Sequence, residues 1–214
     1  MGLQKSNLSA RVFLSIAKGS IRMARRDANG NVIKDAEGKS TFDSFDSLKG
    51  IITAVGTHDT TVNGQPCTFL DITVFDGGEN KNYVVSVDKN SNVAEALIMA
   101  LASAPGFAGK EAEIKVWPRK SVDANGKETI FTNTSIHLGG VKLGWAVAPE
   151  DRPKITVIEG VGKDARERRA FVDEYLKKIQ DVLASEATAS GAAEMPAGLT
   201  EEPEAEAALD DLPM

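Results

Sequence analysis

One cysteine, two histidines and two tryptophans in 214 residues leave this chain short of the side chains on which most enzyme chemistry is built. With Cys67 alone there is no partner for an intramolecular disulfide and no basis for a cysteine zinc cage. No apolar run approaches the roughly 18 residues that cross a bilayer. The N-terminal "MGLQKSNLSARVFLSIAKG" has neither a long apolar stretch nor a small-residue cleavage site, so a cytoplasmic protein without membrane contact is expected. Phosphate-loop and H-E-x-x-H patterns are absent. His58 in the loop-like "GTHDTT", His137 in an alternating segment and Cys67 at a segment start share no catalytic spacing, and no enzyme activity or cofactor is assigned to them.

Carboxylates are plentiful, but their spacing does not make a metal site. Two Asp-Ala-Asn-Gly segments, 27–30 and 123–126, carry glycine fourth where a calcium loop needs it sixth, and read as hairpin turns. Asp43, Asp46, Asp71, Asp76 and Asp88 are scattered at segment ends, which places a magnesium-dependent nuclease last among the functions weighed.

The net charge of −6 conceals an asymmetry. Residues 187–214 hold seven acids and no base; removing them from the total leaves +1 for residues 1–186. That closing segment is rich in Ala, Glu, Pro, Gly, Ser and Thr, has almost nothing to bury, and is expected to be disordered. The first forty residues lean basic, with Arg22, Arg25 and Arg26 close together.

Between these ends the hydrophobic period identifies the elements. "RVFLSI", "SIRMARR" and "STFDSF" suggest strands of a projecting N-terminal hairpin. A meander follows at 48–56, 68–76 and 82–87, and the period then changes to about 3.6 over "NSNVAEALIMALASAPG". There Val93, Leu97, Ala100, Leu101 and Ala104 make a stripe, Asn92 with Glu95 fits a capping box, and Pro105-Gly106 ends the helix. Strands return at 111–120 and 128–138. Residues 164–185 make a second helix, with Phe171, Val172, Tyr175, Leu176, Ile179, Val182 and Leu183 along one side, predicted to pack on the sheet rather than on a partner.

Three strands, one helix and two strands match the OB-fold, a five-stranded partly open barrel that binds oligonucleotides or oligosaccharides. The expectation is thus a mainly β protein, with a domain over 1–160 that includes the N-terminal hairpin extension. One helix lies between its third and fourth strands, an amphipathic helix spans 161–186, and an acidic tail spans 187–214.

Single strands are held by cations that follow the phosphates and by aromatic faces on which bases stack. Strand alternation in "EIKVWPRK" sends Ile114 and Val116 to the core and Lys115, Trp117 and Arg119 to the other face. In "TFLDITVF" it sends Leu70, Ile72 and Val74 inward and Phe69, Asp71 and Phe75 outward. Trp117, Lys115, Arg119, Phe69 and Phe75, with the Arg22, Arg25 and Arg26 cluster, are the candidate nucleic-acid contacts. Each aromatic also admits a plainer reading, as a packing group under the hairpin or the second helix.

These residues, together with the tail that ends "DDLPM", resemble the single-stranded DNA-binding proteins of phage and bacteria. The resemblance covers about 46–138 and, separately, the acidic tail; the long N-terminal hairpin and added helix are closer to a phage-encoded member. In bacterial members an acidic patch followed by Ile-Pro-Phe docks on replication and repair proteins. Asp210, Asp211, Leu212, Pro213 and Met214 stand in the matching places here, with methionine for phenylalanine and two aspartates where three are usual. The resemblance implies protection of transient single-stranded DNA in replication, recombination or repair, without turnover. It implies recruitment of replication or recombination proteins through the tip, and leaves homo-oligomerisation open. The alternatives are a non-catalytic protein-interaction or structural accessory module, and an RNA-binding OB protein.

Overall fold

The computed structural model describes residues 11–62, 64–122, 126, 128–146 and 163–189. Alternating apolar residues form nine strands there. They are β1 (Arg11–Ala17), β2 (Ser20–Ala24), β3 (Phe42–Phe45), β4 (Ser47–Val62), β5 (Gln65–Asp76), β6 (Lys81–Asp88), β7 (Glu111–Val122), β8 (Glu128–Leu138) and β9 (Val141–Lys142). Two α-helices accompany them, α1 (Asn92–Ala102) and α2 (Lys163–Ala189). The protein is mainly β, and the strands form one mixed sheet in the order β3-β2-β1-β6-β5-β4-β7-β8-β9. The β1–β6 pairing is parallel, while β1–β2, β4–β5, β4–β7, β5–β6 and β7–β8 are antiparallel.

This sheet differs from the expected five-stranded barrel in strand number and in being open. The reason lies in the N-terminal strands, which do not project. Leu14 on β1 and Ile21 on β2 are buried in the same core as the meander, so β1 takes the edge of β6 and carries β2 and β3 with it. Helix α1 consequently follows the sixth strand of the sheet rather than the third. What does stand clear is the β2–β3 connection, pinched by the bridges Arg26↔Val32 and Lys34↔Ser40. Its Asp27–Gly30 turn is tied by the Asp27 carboxylate, which accepts the Asn29 and Asn31 N–H groups at 2.9 Å each. Backbone and side-chain hydrogen bonds from Asn31 hold that carboxyl below its ordinary value.

The core is sealed by helices as well as by strand alternation. Helix α1 is capped by Ser91, whose hydroxyl accepts the Ala94 N–H at 3.1 Å, so the cap falls one residue before the expected Asn92. Leu97, Ala100 and Leu101 are buried as the stripe predicts, while Ala94, Ile98 and Met99 are buried too, because α1 meets both the sheet and α2. Helix α2 buries Val172, Leu176 and Ile179, and Gln180 donates to the Val55 carbonyl at 3.1 Å. Lys89 pairs with Asp173. The second helix therefore packs on the sheet's core, and it runs to Ala189, beyond the expected end. Residues 190–214, where most of the acidic segment falls, lie outside the described residues.

The sheet also coils. At the β1–β2 turn the Gly19 N–H donates to Thr132 Oγ1 on β8 at 3.0 Å, joining strands remote in the pairing order. Gly19 has φ of 79°, and a Cβ there would lie 2.5 Å from Pro118. Only glycine suits both the left-handed backbone and the close approach. Gly19→Ala is predicted to cost about 2–4 kcal/mol, from left-handed strain plus displacement of Pro118. Gly30→Ala, at φ of 87° with open space around it, should cost only about 1–2 kcal/mol. Denaturant midpoints of the two variants check the difference; equal losses would mean that the turn does not bear on Pro118.

Candidate nucleic-acid interface

Strand β7 pairs with β4 only from Glu111 to Lys115, whereas its pairing with β8 continues to Val122 opposite Glu128. Beyond Lys115 the two strands are a ribbon, and alternation assigns its faces. Ile114 and Val116 are buried, as expected. Trp117, on the opposite face, is 40% exposed, and Phe131 is 48% exposed. Trp117 pairs with Asn133 and Arg119 with Phe131, so the two aromatics are diagonal neighbours at about 7–8 Å, with Arg119 directly across from Phe131. Among the described residues Arg119 has no ion-pair partner. Phe131 is a site residue that the reading of single strands passes over; its parity with His137 and Ser135 places it outward, but only the β7–β8 register sets it beside Arg119.

Lys115 shares this face but is engaged, its ammonium 3.3 Å from the Glu113 carboxylate. Burial pushes the Glu113 carboxyl up, and the Lys115 hydrogen bond and charge, helped by Lys49, more than offset this and hold it below its ordinary value. Both side chains stay in contact with solvent, so the pair is weakly held and exchangeable.

The other sequence candidates fare differently. Phe69 faces outward by parity with Asp71 and Phe75, yet it is only 6% exposed. The His58 ring stacks on it at 5.5 Å between centroids and 15° between planes, so Phe69 is a packing group rather than an open platform. His58 itself lies on β4, not in a loop, because the β4–β5 hairpin is longer than its apolar run. Phe75 is half-buried opposite Ile51. The arginine cluster is divided by its neighbours. Arg22 lies over the Phe42 ring at 3.8 Å, Arg25 bonds Asp43 at 2.7 Å, and Arg26 donates to the Gly30 carbonyl at 2.6 Å. Arg22 sits on β2, five steps from β7 in the sheet order, and the β1–β2 turn meets the ribbon at Pro118 and Thr132, which share parity with the buried Val116 and not with Trp117. Asp210, Asp211, Leu212, Pro213 and Met214 lie outside the described residues.

Two histidines lie in polar clusters on the sheet. His58 Nδ1 and Ser86 Oγ both reach Asp71, each at 2.5 Å. With the carboxylate in the middle, the histidine does not touch the serine it would have to deprotonate. Ser135 Oγ is 3.0 Å from His137 Nε2, and His137 Nδ1 is 3.4 Å from the Gly140 carbonyl, but Ser135 is only 5% exposed. Among the described residues no group of three or more His, Cys, Asp or Glu side chains is placed to hold a metal ion. Asp76 and Asp88 instead accept the backbone N–H groups of Gly78 and Asn90, at 2.8 Å each. No helix of the described residues is long and apolar enough to cross a membrane.

Phe69 and Trp117 should separate in a stability measurement. Phe69→Ala is predicted to cost about 3–5 kcal/mol, as for a buried ring, and Trp117→Ala less than about 1 kcal/mol, as for a surface side chain. Chemical denaturation reads both, and a large loss at Trp117 would assign it to packing. In comparison with known proteins, no family model, curated protein or solved structure matches the chain.

Proposed function

We propose that this protein binds single-stranded DNA without sequence preference and protects it during replication, recombination or repair. The observation that carries the reading is the outer face of the β7–β8 ribbon, where Trp117 and Phe131 stand exposed and diagonal, with Arg119 directly across from Phe131. Two rings and a guanidinium without an ion-pair partner among the described residues suit a flexible strand, since bases stack on the rings and phosphates meet the cation. Every base has a π-face, so such a platform does not select sequence.

The arrangement of elements supports the same reading. The β4-β5-β6 meander, helix α1 and the β7–β8 hairpin follow the OB order, and the coiled sheet brings the β1–β2 turn against the hairpin. On this view β1, β2 and β3 are an N-terminal elaboration of an OB-type barrel. The Asp210–Met214 tip then serves as the recruiting element for replication or recombination proteins, its aspartates meeting basic side chains and its apolar residues a pocket. The acidic segment can also compete with DNA for the same cations.

A protein-interaction module is the second reading, favoured by the other side of the ribbon. Val122 and Ile130 are exposed there, beside a Lys120–Glu128 ion pair of 2.7 Å. A DNA titration decides between the two. Oligo-dT added to the full-length protein should quench tryptophan fluorescence, with affinity falling as salt rises. A chain ending at Ala189, the end of α2, should bind more tightly at low salt. Trp117→Ala and Phe131→Ala should each weaken binding by about 1–3 kcal/mol. Absence of binding by both chains at low salt would rule out the single-strand reading.

The Glu113–Lys115 pair gives a finer prediction. Glu113→Gln frees the Lys115 ammonium for a phosphate, so the slope of log K against log salt should steepen by roughly 0.7. An unchanged slope would place Lys115 outside the contact.

A further inference from the structure

The face that carries Trp117 continues below the ribbon. On β7 the register with β8 is unbroken from Ala112 to Val122, so Glu113, Lys115, Trp117 and Arg119 share one side of the sheet. Next below Trp117 on that side, Lys115 stands between Ser47 on β4 and Ser135 on β8. One step further down, four strands align a row. Lys49 on β4 is opposite Glu113, Glu113 is opposite His137 on β8, and His137 is opposite Lys142 on β9. The adjoining row of Leu48, Ile114 and Ile136 turns to the core, which sets the Lys49 row outward. Lys142 keeps that side because the next residue, Leu143, packs against the core and donates its N–H to the Ile136 carbonyl at 2.8 Å. Lys49 and Lys142 are exposed at the two ends of the row, and Glu113 between them is held by Lys115 and Ser47. The next β7 residue of the same parity is Glu111, an exposed acid, so the cationic stretch ends there.

We propose that Lys49 and Lys142 are phosphate contacts, which carry the single strand held by Trp117 and Phe131 onward across the outer face of β4, β7, β8 and β9. The inference rests on the single-strand reading. Continuity and charge name the occupant. The row lies on the same side of the same strand as Trp117, about 13 Å away at roughly 3.3 Å per residue. Lys49 and Lys142 are three strand spacings apart, about 14 Å, and their flexible four-carbon stems let the ammonium groups close on a chain between them. With Lys115 they set three cations against the one carboxylate of Glu113. The side chains among them, Ser47, Ser135 and His137, are polar, so the row offers a polyanion its phosphate partners and offers an apolar peptide little to bury against. Lysines that meet phosphates as point charges fix the path without reading bases. Ribbon and row together fall within the range of about 4–16 nucleotides held by one barrel.

The test uses the full-length protein and fluorescently labelled oligo-dT of about 15 nucleotides, with binding followed by anisotropy over a salt series. Lys49→Gln and Lys142→Gln should each weaken binding at low salt and make the slope of log K against log salt shallower by roughly 0.7, and the double variant by roughly 1.4. Lys49→Arg and Lys142→Arg keep the charge and should keep the slope. Lys34→Gln removes an exposed charge from the β2–β3 connection, away from the row, and should leave the slope as in wild type. A wild-type slope in either the Lys49→Gln or the Lys142→Gln protein, with binding intact, overturns the path and spares the single-strand reading. An equal change in Lys34→Gln also overturns it, since the DNA would then sense only the total charge. Tighter binding by the two row variants overturns it as well, because the lysines would then hold the chain's own acidic segment instead of DNA. Wild type that does not bind overturns the single-strand reading, and the path with it.

Discussion

The candidate interface depends on one geometric constraint, the period of two in strand β7. Burying Ile114 and Val116 leaves no freedom for Lys115, Trp117 and Arg119, which must face the other way. A slip of one residue would put Trp117 in the core and Ile114 in water. Burial of the inner residues therefore pins the outer ones, and the surface inherits its register from the core. The same holds across the β7–β8 ladder, where Ile136 opposite Ile114 fixes Phe131 opposite Arg119. A platform on a strand so anchored is presented in a fixed arrangement, and little ordering of its own is required when a ligand arrives.

Among the described residues, the other elements are placed away from that surface. Both helices gather on the core side of the sheet, with α1 and α2 burying their apolar stripes against each other and the strands. The N-terminal strands extend the sheet rather than cover it, with β1 parallel to β6 and the β1–β2 turn seated under the β7–β8 hairpin at Pro118 and Thr132. That contact supports a ribbon which, beyond Lys115, is strand-paired among the described residues with its own hairpin partner alone. A two-stranded ribbon alone is marginally stable, so the turn beneath it contributes to the precision of the site.

Much of this was legible from residue order, because local periodicity reports on faces without knowledge of partners. The β8 span, the burial of Leu70, Ile72 and Val74, and the helical stripe with Leu176 and Ile179 all follow from alternation or from a 3.6 period. What escaped depends on contacts between segments distant in sequence. Nothing in "RVFLSI" says that β1 will run parallel to β6 and turn a projecting hairpin into part of the sheet. Phe69 has the same outward parity as Phe75, but the His58 ring that covers it comes from a neighbouring strand. The arginines at 22, 25 and 26 read as one cationic cluster in sequence, and the structure gives each a different local partner. Phe131 was passed over for the complementary reason, since only pairing places it beside Arg119 and Trp117.

The central claim is that the outer face of the β7–β8 ribbon, and not another surface, lies against single-stranded DNA. Photocrosslinking of the full-length protein to oligo-dT, with the attached peptides mapped by mass spectrometry, tests it most directly. The account predicts crosslinks at Trp117 and Phe131, competed away by unlabelled single strand. Crosslinks confined to Val122 and Ile130 on the inner side of the ribbon or to α2, or none at an oligonucleotide concentration that saturates binding, would contradict it.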